Sequence, residues 1–397
     1  MQYSFFAPRQ ILFGWGKRVE LGTLATGLGQ RAFLISGSRT LERNGVVDDV
    51  VANLRNAGLQ VLGFPVESRE PEVRDVDLLV RSLRDLDPTD GDLVIALGGG
   101  ATIDLGKAAA ALVTNRHGDS VEDFLEGVGR GLQITVPPLP FIAVPTTAGT
   151  GAEATKNSVI SSNPDRVNLY KKSLRSELMV PRLVLVDPEL CRSVSRQTTA
   201  YTGMDAITQL IESYISRRAA PIPQALCRQG LAMAIPALPQ AVADGAHRPA
   251  REAMSHAALL SGIALANSGL GLAHGVAAAL GVTCQVPHGL ACAVMLPIAL
   301  KTNLPVCQSQ LAELENHLSL AGSPEPCESS QSTAASRFVE RIERLCRELQ
   351  IPGRLRELGV AIEQLPSLVK GSRGNSMSGN PRNVSDEELK DILEQHW

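Results

Sequence analysis

Five short apolar runs, ended by Gly, Pro or Asp, lie in the first 190 residues of this 397-residue chain, and the strand signals stop after them. They are RAFLISG (31–37), LQVLGFPV (59–66), DLVIALGGG (92–100), PFIAVPTT (140–147) and RLVLVDP (182–188). Runs this short and this continuously apolar suit strands covered on both faces, because a strand in a buried parallel sheet has no solvent side to leave polar. Helix-like spans at 45–57, 74–86 and 102–114 separate them. The alternation predicts a doubly wound, Rossmann-like α/β domain over residues 1–190, with ligands at the carboxyl ends of its strands. Beyond it the periodicity is helical, at 196–217, 222–243, 250–267, 270–281, 287–303, 332–350 and 385–396, which predicts an all-α domain over residues 191–397. Polar loops are expected at 321–332 and 371–383.

Two domains also agree with a chain longer than one core usually fills, and 44% apolar residues suffice for both. With 38 basic against 41 acidic residues and no basic cluster, a nucleic-acid partner is not expected. The longest apolar stretches are broken by Gly, Asn or His, so no membrane span is expected, and the N-terminus has no signal-peptide pattern. Seven scattered cysteines without C-x-x-C pairs read as reduced thiols in the cytoplasm.

Three stretches carry candidate chemistry. VIALGGGATIDLGK sets Gly98, Gly99 and Gly100 between a strand and a helix. Glycines there let backbone approach a phosphate, and the helix start offers free N–H groups, although the same turn also serves tight packing. PTTAGTGAEAT (145–155) follows another strand, and its threonines suit either a cofactor or helix capping. GMDAITQLIESYIS (203–216) puts Asp205 and Gln209 four apart on one helical face, and His274 and His288 follow in GLGLAHGVAAALGVTCQVPHG. One Asp with two His suits a divalent cation or a metal-free proton-handling cluster; a single buried His would more often be core.

These motifs, together with FFAPRQILFGWG, VDPEL and the closing NPRNVSDEELKDIL, occur in an order that resembles the iron-containing (group III) alcohol dehydrogenases. The resemblance implies a Rossmann-like NAD(P) domain, a helical metal domain, and hydride transfer between nicotinamide and an alcohol or aldehyde in a cleft between them. It assigns Gly98, Gly99, Gly100 and Asp104 to the dinucleotide turn, and Thr146, Thr147, Thr155, Asn157, Lys172 and Leu190 to the rest of the cofactor path. Lys171 competes with Lys172 for its place, and core packing is the plain alternative for Leu190. The family's Asp and three His ligands map onto Asp205, Gln209, His274 and His288, with His274 and His288 also the catalytic candidates. A further family histidine maps onto Ala278.

Gln209 and Ala278 thus stand where the family has histidines, and a Gln carbonyl is a poorer ligand than imidazole for Fe²⁺ or Zn²⁺. Three outcomes follow: a metal kept by Asp205, His274 and His288 with Gln209 or water; a metal-free site in which the histidines handle the proton; or cofactor binding without turnover. A lyase or polyol-phosphate enzyme of the same superfamily is the other alternative. Near Ser38 the sequence Gly37-Ser38-Arg39 has no acid to repel a 2′-phosphate, which leans the cofactor to NADP over NAD. Glu70-Pro71 replaces the family's usual Asn-Pro. The expected partner is a small alcohol or aldehyde, in a homodimer or larger homo-oligomer, as is common among such enzymes.

Overall fold

The computed structural model describes residues 2–320 and 330–397. Most of the loop expected at 321–332, with Cys327, lies outside the described residues. The chain forms two compact units, one of Phe6–Val194 and one of Ser195–Trp397 joined by residues 2–5.

The first unit contains strands β1 (Gln10–Phe13), β2 (Arg31–Ser36), β3 (Gln60–Pro65), β4 (Asp92–Gly98), β5 (Phe141–Pro145), β6 (Asn157–Ser161), β7 (Lys171–Arg175) and β8 (Leu183–Val186). Its helices are α1 (Leu21–Thr26), α2 (Arg39–Arg43), α3 (Val46–Asn56), α4 (Val73–Arg84) and α5 (Gly100–Thr114). Six strands make a parallel sheet in the order β1-β8-β5-β4-β2-β3, and β6 pairs antiparallel with β7. All five expected strands are present. The alternation of side chains along β4 shows why its run is apolar throughout: Leu93, Ile95 and Leu97 enter the core beneath α1 and α3, and Val94 and Ala96 enter the opposite core beneath α4 and α5. From β2 the chain steps outward to β3 and then returns to the other side of β2 as β4, so the strand order reverses between β2 and β4. A crevice at the carboxyl ends of those two strands is where such a sheet receives a ligand.

The second unit is helical, as expected: α6 (Arg196–Ile215), α7 (Pro221–Ala243), α8 (Arg248–Ser268), α9 (Leu272–Cys284), α10 (His288–Leu320), α11 (Gln331–Glu348), α12 (Leu365–Gly371), α13 (Asn375–Ser378) and α14 (Asp386–Gln395). The short helix α12 lies outside every helix expected from the sequence, and two further details differ. The loop expected at 371–383 contains the single turn of α13, and α10 continues well past residue 303. Pro305 cannot donate to the carbonyl four residues back, and the helix bends there, with Cys307 at φ −120° and ψ 15°. It resumes because its later turns are still buried against neighbouring helices. Residues His288–Ser319 are long and apolar enough to cross a membrane, but 67% of the apolar window is buried inside the protein, as in a core helix.

Candidate active site

On α6, Asp205, Gln209 and Glu212 occupy positions i, i+4 and i+7 of one face, and all three are buried. Asp205 Oδ1 lies 3.2 Å from His274 Nε2 on α9 and 3.8 Å from His288 Nε2 at the start of α10. One turn into α10, Cys292 brings Sγ to 3.7 Å from His288 Nε2. One donor atom from each of Asp205, His274, His288 and Cys292 lies within 4.8 Å of the others.

Two close approaches of backbone assemble this cluster. A Cβ on Gly289 would stand 2.5 Å from the Tyr201 carbonyl oxygen, so only glycine lets the first turn of α10 press against α6 and carry His288 to Asp205. A Cβ on Gly271 would stand 2.9 Å from Glu212 Oε1, so this glycine admits the Glu212 carboxylate to the start of α9. There Oε1 accepts from the Ala273 N–H at 2.6 Å, and Oε2 accepts from the Gly271 and His274 N–H groups at 3.1 and 3.3 Å. The helix thereby gains acceptors for orphan N–H groups and a negative charge at its positive end. The same Oε2 lies 2.7 Å from His274 Nδ1, which turns the other ring nitrogen toward Asp205. Asn380, from the closing motif, completes this cap: its Oδ1 accepts from the Leu272 N–H at 3.1 Å and from Asn303 Nδ2 at 2.8 Å.

Gln209 does not point a carbonyl into the cluster. Its Nε2 donates to Asp205 Oδ1 at 3.0 Å, and its Oε1 accepts from Ser261 Oγ at 2.6 Å. Ala278, one turn after His274 on α9, offers no polar atom.

Burial alone would raise the Asp205 carboxyl, but the charge of His288 and the hydrogen bond from His274 outweigh it and hold the group below its ordinary value. Burial alone would depress His274. Cys292, Asp205 and Glu212 overcome it and push the imidazole well above its ordinary value, as expected of a ring between two carboxylates. Burial pushes the Cys292 thiol up to about 12, so without a cation it is a neutral thiol. A carboxylate, two imidazoles and a sulfur converging in a buried space form a donor set that fits a divalent transition metal.

The first unit holds the glycine-rich turn between β4 and α5. At the reversal point the Gly37 N–H donates to the Leu97 carbonyl at 3.2 Å, which sets the ends of β2 and β4 side by side. Cβ atoms on Gly98 and Gly100 would fall 2.4 Å from the hydroxyls of Thr102 and Thr150, so the turn tolerates only glycine. Gly99 starts α5 without a side-chain cap. The Thr146 N–H donates to the Gly98 carbonyl at 3.0 Å, which brings Thr146 and Thr147 to the same turn. Ser38 Oγ caps α2 by accepting from the Leu41 N–H at 3.3 Å.

Thr155 and Asn157 meet a buried lysine that the sequence reading passed over. Lys107 Nζ donates to Ala152 O, Thr155 Oγ1 and Asn157 O at 2.7, 2.7 and 2.6 Å. Burial lowers it to about 8, and burial likewise raises Asp104 to about 6 and Glu153 to about 7. Lys172 lies on β7 opposite Ile160, while Lys171 pairs with Glu70 at 2.5 Å. Leu190 is buried in the sheet core with Leu183 and Leu185, the packing role allowed for it.

Glu212 and Cys292 were missed in the sequence. Glu212 follows Asp205 by seven residues and Cys292 follows His288 by four, both spacings that share a helical face, and that was the available signal.

Comparison with known proteins agrees with this geometry. Residues 8–188 match the profile described as "Iron-containing alcohol dehydrogenase", and residues 199–397 match "Fe-containing alcohol dehydrogenase family, C-terminal". The chain is 31% identical to an NAD-dependent methanol dehydrogenase of Bacillus methanolicus over 98% of both chains. It is 30% identical to an NADPH-dependent butanol dehydrogenase of Clostridium saccharobutylicum, over 98% of this chain and 97% of that one. It also superposes on a crystal structure of 1,3-propanediol oxidoreductase over 100% of both chains, with a TM-score of 0.90 at 30% identity.

Proposed function

The chain belongs to the iron-containing alcohol dehydrogenase family, and from that premise we propose that Asp205, His274 and His288 hold a divalent cation serving hydride transfer between NADP(H) and a short alcohol or aldehyde. The protein is an NAD(P)-dependent oxidoreductase acting on CH–OH groups. The observation that supports the metal assignment is the convergence of the three side chains, with His274 Nε2 3.2 Å and His288 Nε2 3.8 Å from one carboxylate oxygen.

When bound, the ion supplies Lewis-acid polarisation of a carbonyl oxygen. The residues around it set that up. Glu212 accepts the Nδ1 proton of His274 and so leaves Nε2 as the donor atom, the carboxylate–histidine arrangement that orients many metal ligands. Gln209 steadies the Asp205 carboxylate through its amide N–H. On the nucleotide side, the uncapped start of α5 and the Cβ-free turn at Gly98–Gly100 suit a pyrophosphate. Gly37-Ser38-Arg39 at the end of β2 presents a cation and no acid, which favours a 2′-phosphate and hence NADP. The named relatives divide between NAD and NADPH, so the preference belongs to this chain's own residues. None of the six cysteines among the described residues is in a disulfide, in keeping with a cytoplasmic enzyme.

One feature favours a second, metal-free reading: His274 between two carboxylates is held protonated and can donate to a developing alkoxide. Metal content after purification without added metal, with NADPH- and NADH-dependent reduction of short aldehydes before and after chelation, separates the two. Bound metal whose removal abolishes turnover is the expected result. Undiminished turnover by metal-free protein would refute the metal assignment and leave the histidines as the proton donors.

A further inference from the structure

We propose that Cys292 is a fourth ligand of this ion, so that the site is a carboxylate, two imidazoles and a thiolate that selects Zn²⁺ over Fe²⁺, and the substrate oxygen joins as a fifth ligand, an expansion that zinc allows. This rests on the reading of Asp205, His274 and His288 as a metal site.

The geometry supports it. With Zn–S near 2.3 Å and Zn–N and Zn–O near 2.0–2.2 Å, the edges of a tetrahedral site measure roughly 3.3–3.6 Å. The observed edges are 3.2 Å between His274 Nε2 and Asp205 Oδ1, 3.8 Å between His288 Nε2 and Asp205 Oδ1, and 3.7 Å between Cys292 Sγ and His288 Nε2. Every edge among the four donors is within 4.8 Å. Closing onto an ion therefore needs movements of a few tenths of an ångström along the measured edges, within reach of side-chain rotation. The Gln209 carbonyl is turned to Ser261, whose Oγ donates to it at 2.6 Å, while its amide nitrogen faces Asp205. Cys292 is 0% exposed and one turn beyond His288, so the start of α10 delivers both ligands as a rigid pair.

Sulfur changes the chemistry of the site. Thiolate is a soft donor that favours zinc, whereas an Asp with imidazoles alone leaves iron competitive. On binding, the Cys292 S–H bond breaks, its proton goes to solvent, and the sulfur lone pair forms the bond to the ion. The two anionic ligands then match the two positive charges of the cation, a favourable balance for a buried centre.

The test is the absorption spectrum of the full chain loaded with Co²⁺, which reports sulfur ligation without turnover. We expect ligand-field bands of a four-coordinate ion together with an intense near-ultraviolet thiolate-to-cobalt charge-transfer band. In Cys292→Ser the charge-transfer band should vanish while the ligand-field bands remain. The preference for Zn²⁺ over Fe²⁺ in competition should fall by about tenfold or more. Ligand-field bands without charge transfer in the parent protein would overturn the thiolate assignment and leave the three-residue metal site standing. A charge-transfer band that persists in Cys292→Ser would overturn it too, by placing another cysteine on the metal. Failure of the parent protein to bind Co²⁺ at all would overturn the metal site and this inference together. The parent spectrum decides the matter even if the variant does not fold.

Discussion

Replacing Glu212 by Gln tests how the site is oriented, because the carboxylate has no spare oxygen. Its two oxygens accept three backbone N–H groups, from Gly271, Ala273 and His274, and the Nδ1 side of the His274 ring. An amide has one acceptor and one donor, so it must fail somewhere. If its oxygen stays with Ala273, its NH₂ faces the Gly271 and His274 N–H groups. The His274 ring must then accept at Nδ1 and carry its proton on Nε2, on the side of Asp205. If its oxygen serves His274 instead, the NH₂ meets the Ala273 N–H across 2.6 Å. Either way a buried donor loses its acceptor, at about 1–3 kcal/mol, and the helix start loses an anion worth up to about 2 kcal/mol. We expect Glu212→Gln to lose roughly 2–4 kcal/mol of stability without metal, read from urea unfolding. Zn²⁺ or Co²⁺ affinity, measured by competition with a coloured chelator well below the unfolding transition, should weaken by about 10–100-fold, equivalent to roughly 1.4–2.7 kcal/mol. An affinity within about twofold of the parent would refute the claim that Glu212 fixes the tautomer of His274.

Asn380→Ala removes a side chain, 1% exposed, that serves Leu272 N–H and Asn303, so it should cost about 2–4 kcal/mol in urea unfolding; a loss below about 1 kcal/mol would show that water replaces it. Glu153→Gln tests the buried group that burial raises from 4.5 to about 7. A raised carboxyl favours the folded state below pH 4.5 and loses that contribution as pH rises through 7, so the variant should gain up to roughly 3 kcal/mol on the parent between those limits. Unfolding at pH 4.5 and pH 8 measures it, and equal differences at the two pH values would contradict the shift. Gln209→His is expected to leave Zn²⁺ affinity nearly unchanged in the parent yet to strengthen it in Cys292→Ser, since the thiolate already fills the fourth place. Additive effects in that double-mutant cycle would mean the two positions do not share one ion.

Much of the fold was legible because it depends on local periodicity. The runs that became β2, β4, β5 and β8 are buried at nearly every residue and had to be mainly apolar, whereas β3, at the edge of the sheet, is exposed at Gln60, Gly63 and Pro65 and was legible from its β-branched and aromatic residues. β1, β6 and β7 were not seen because they are four or five residues long and partly exposed, so their pattern resembles that of a loop. The helix expected at 287–303 runs on through Pro305 because local sequence carries the cost of a missing N–H but not the packing that offsets it. In the site, Asp205, His274 and His288 were legible as residue types with metal chemistry. Cys292 and Glu212 were not, since a cysteine and a glutamate on an amphipathic helix are common and only the packing gives them a role.

That packing rests on two glycines whose significance is three-dimensional. Without Gly289 the Tyr201 carbonyl would hold α10 away from α6, and without Gly271 the Glu212 carboxylate would be displaced from the start of α9. The glutamine at position 209 is explained at the same level. With sulfur arriving from α10, a second neutral ligand on α6 has no place to fill. What the crowded carboxylate needs instead is a donor, and the amide N–H at 3.0 Å from Asp205 is one. Gln209 is therefore a support for the Asp205 carboxylate, while Cys292 brings its sulfur to the same cluster from α10.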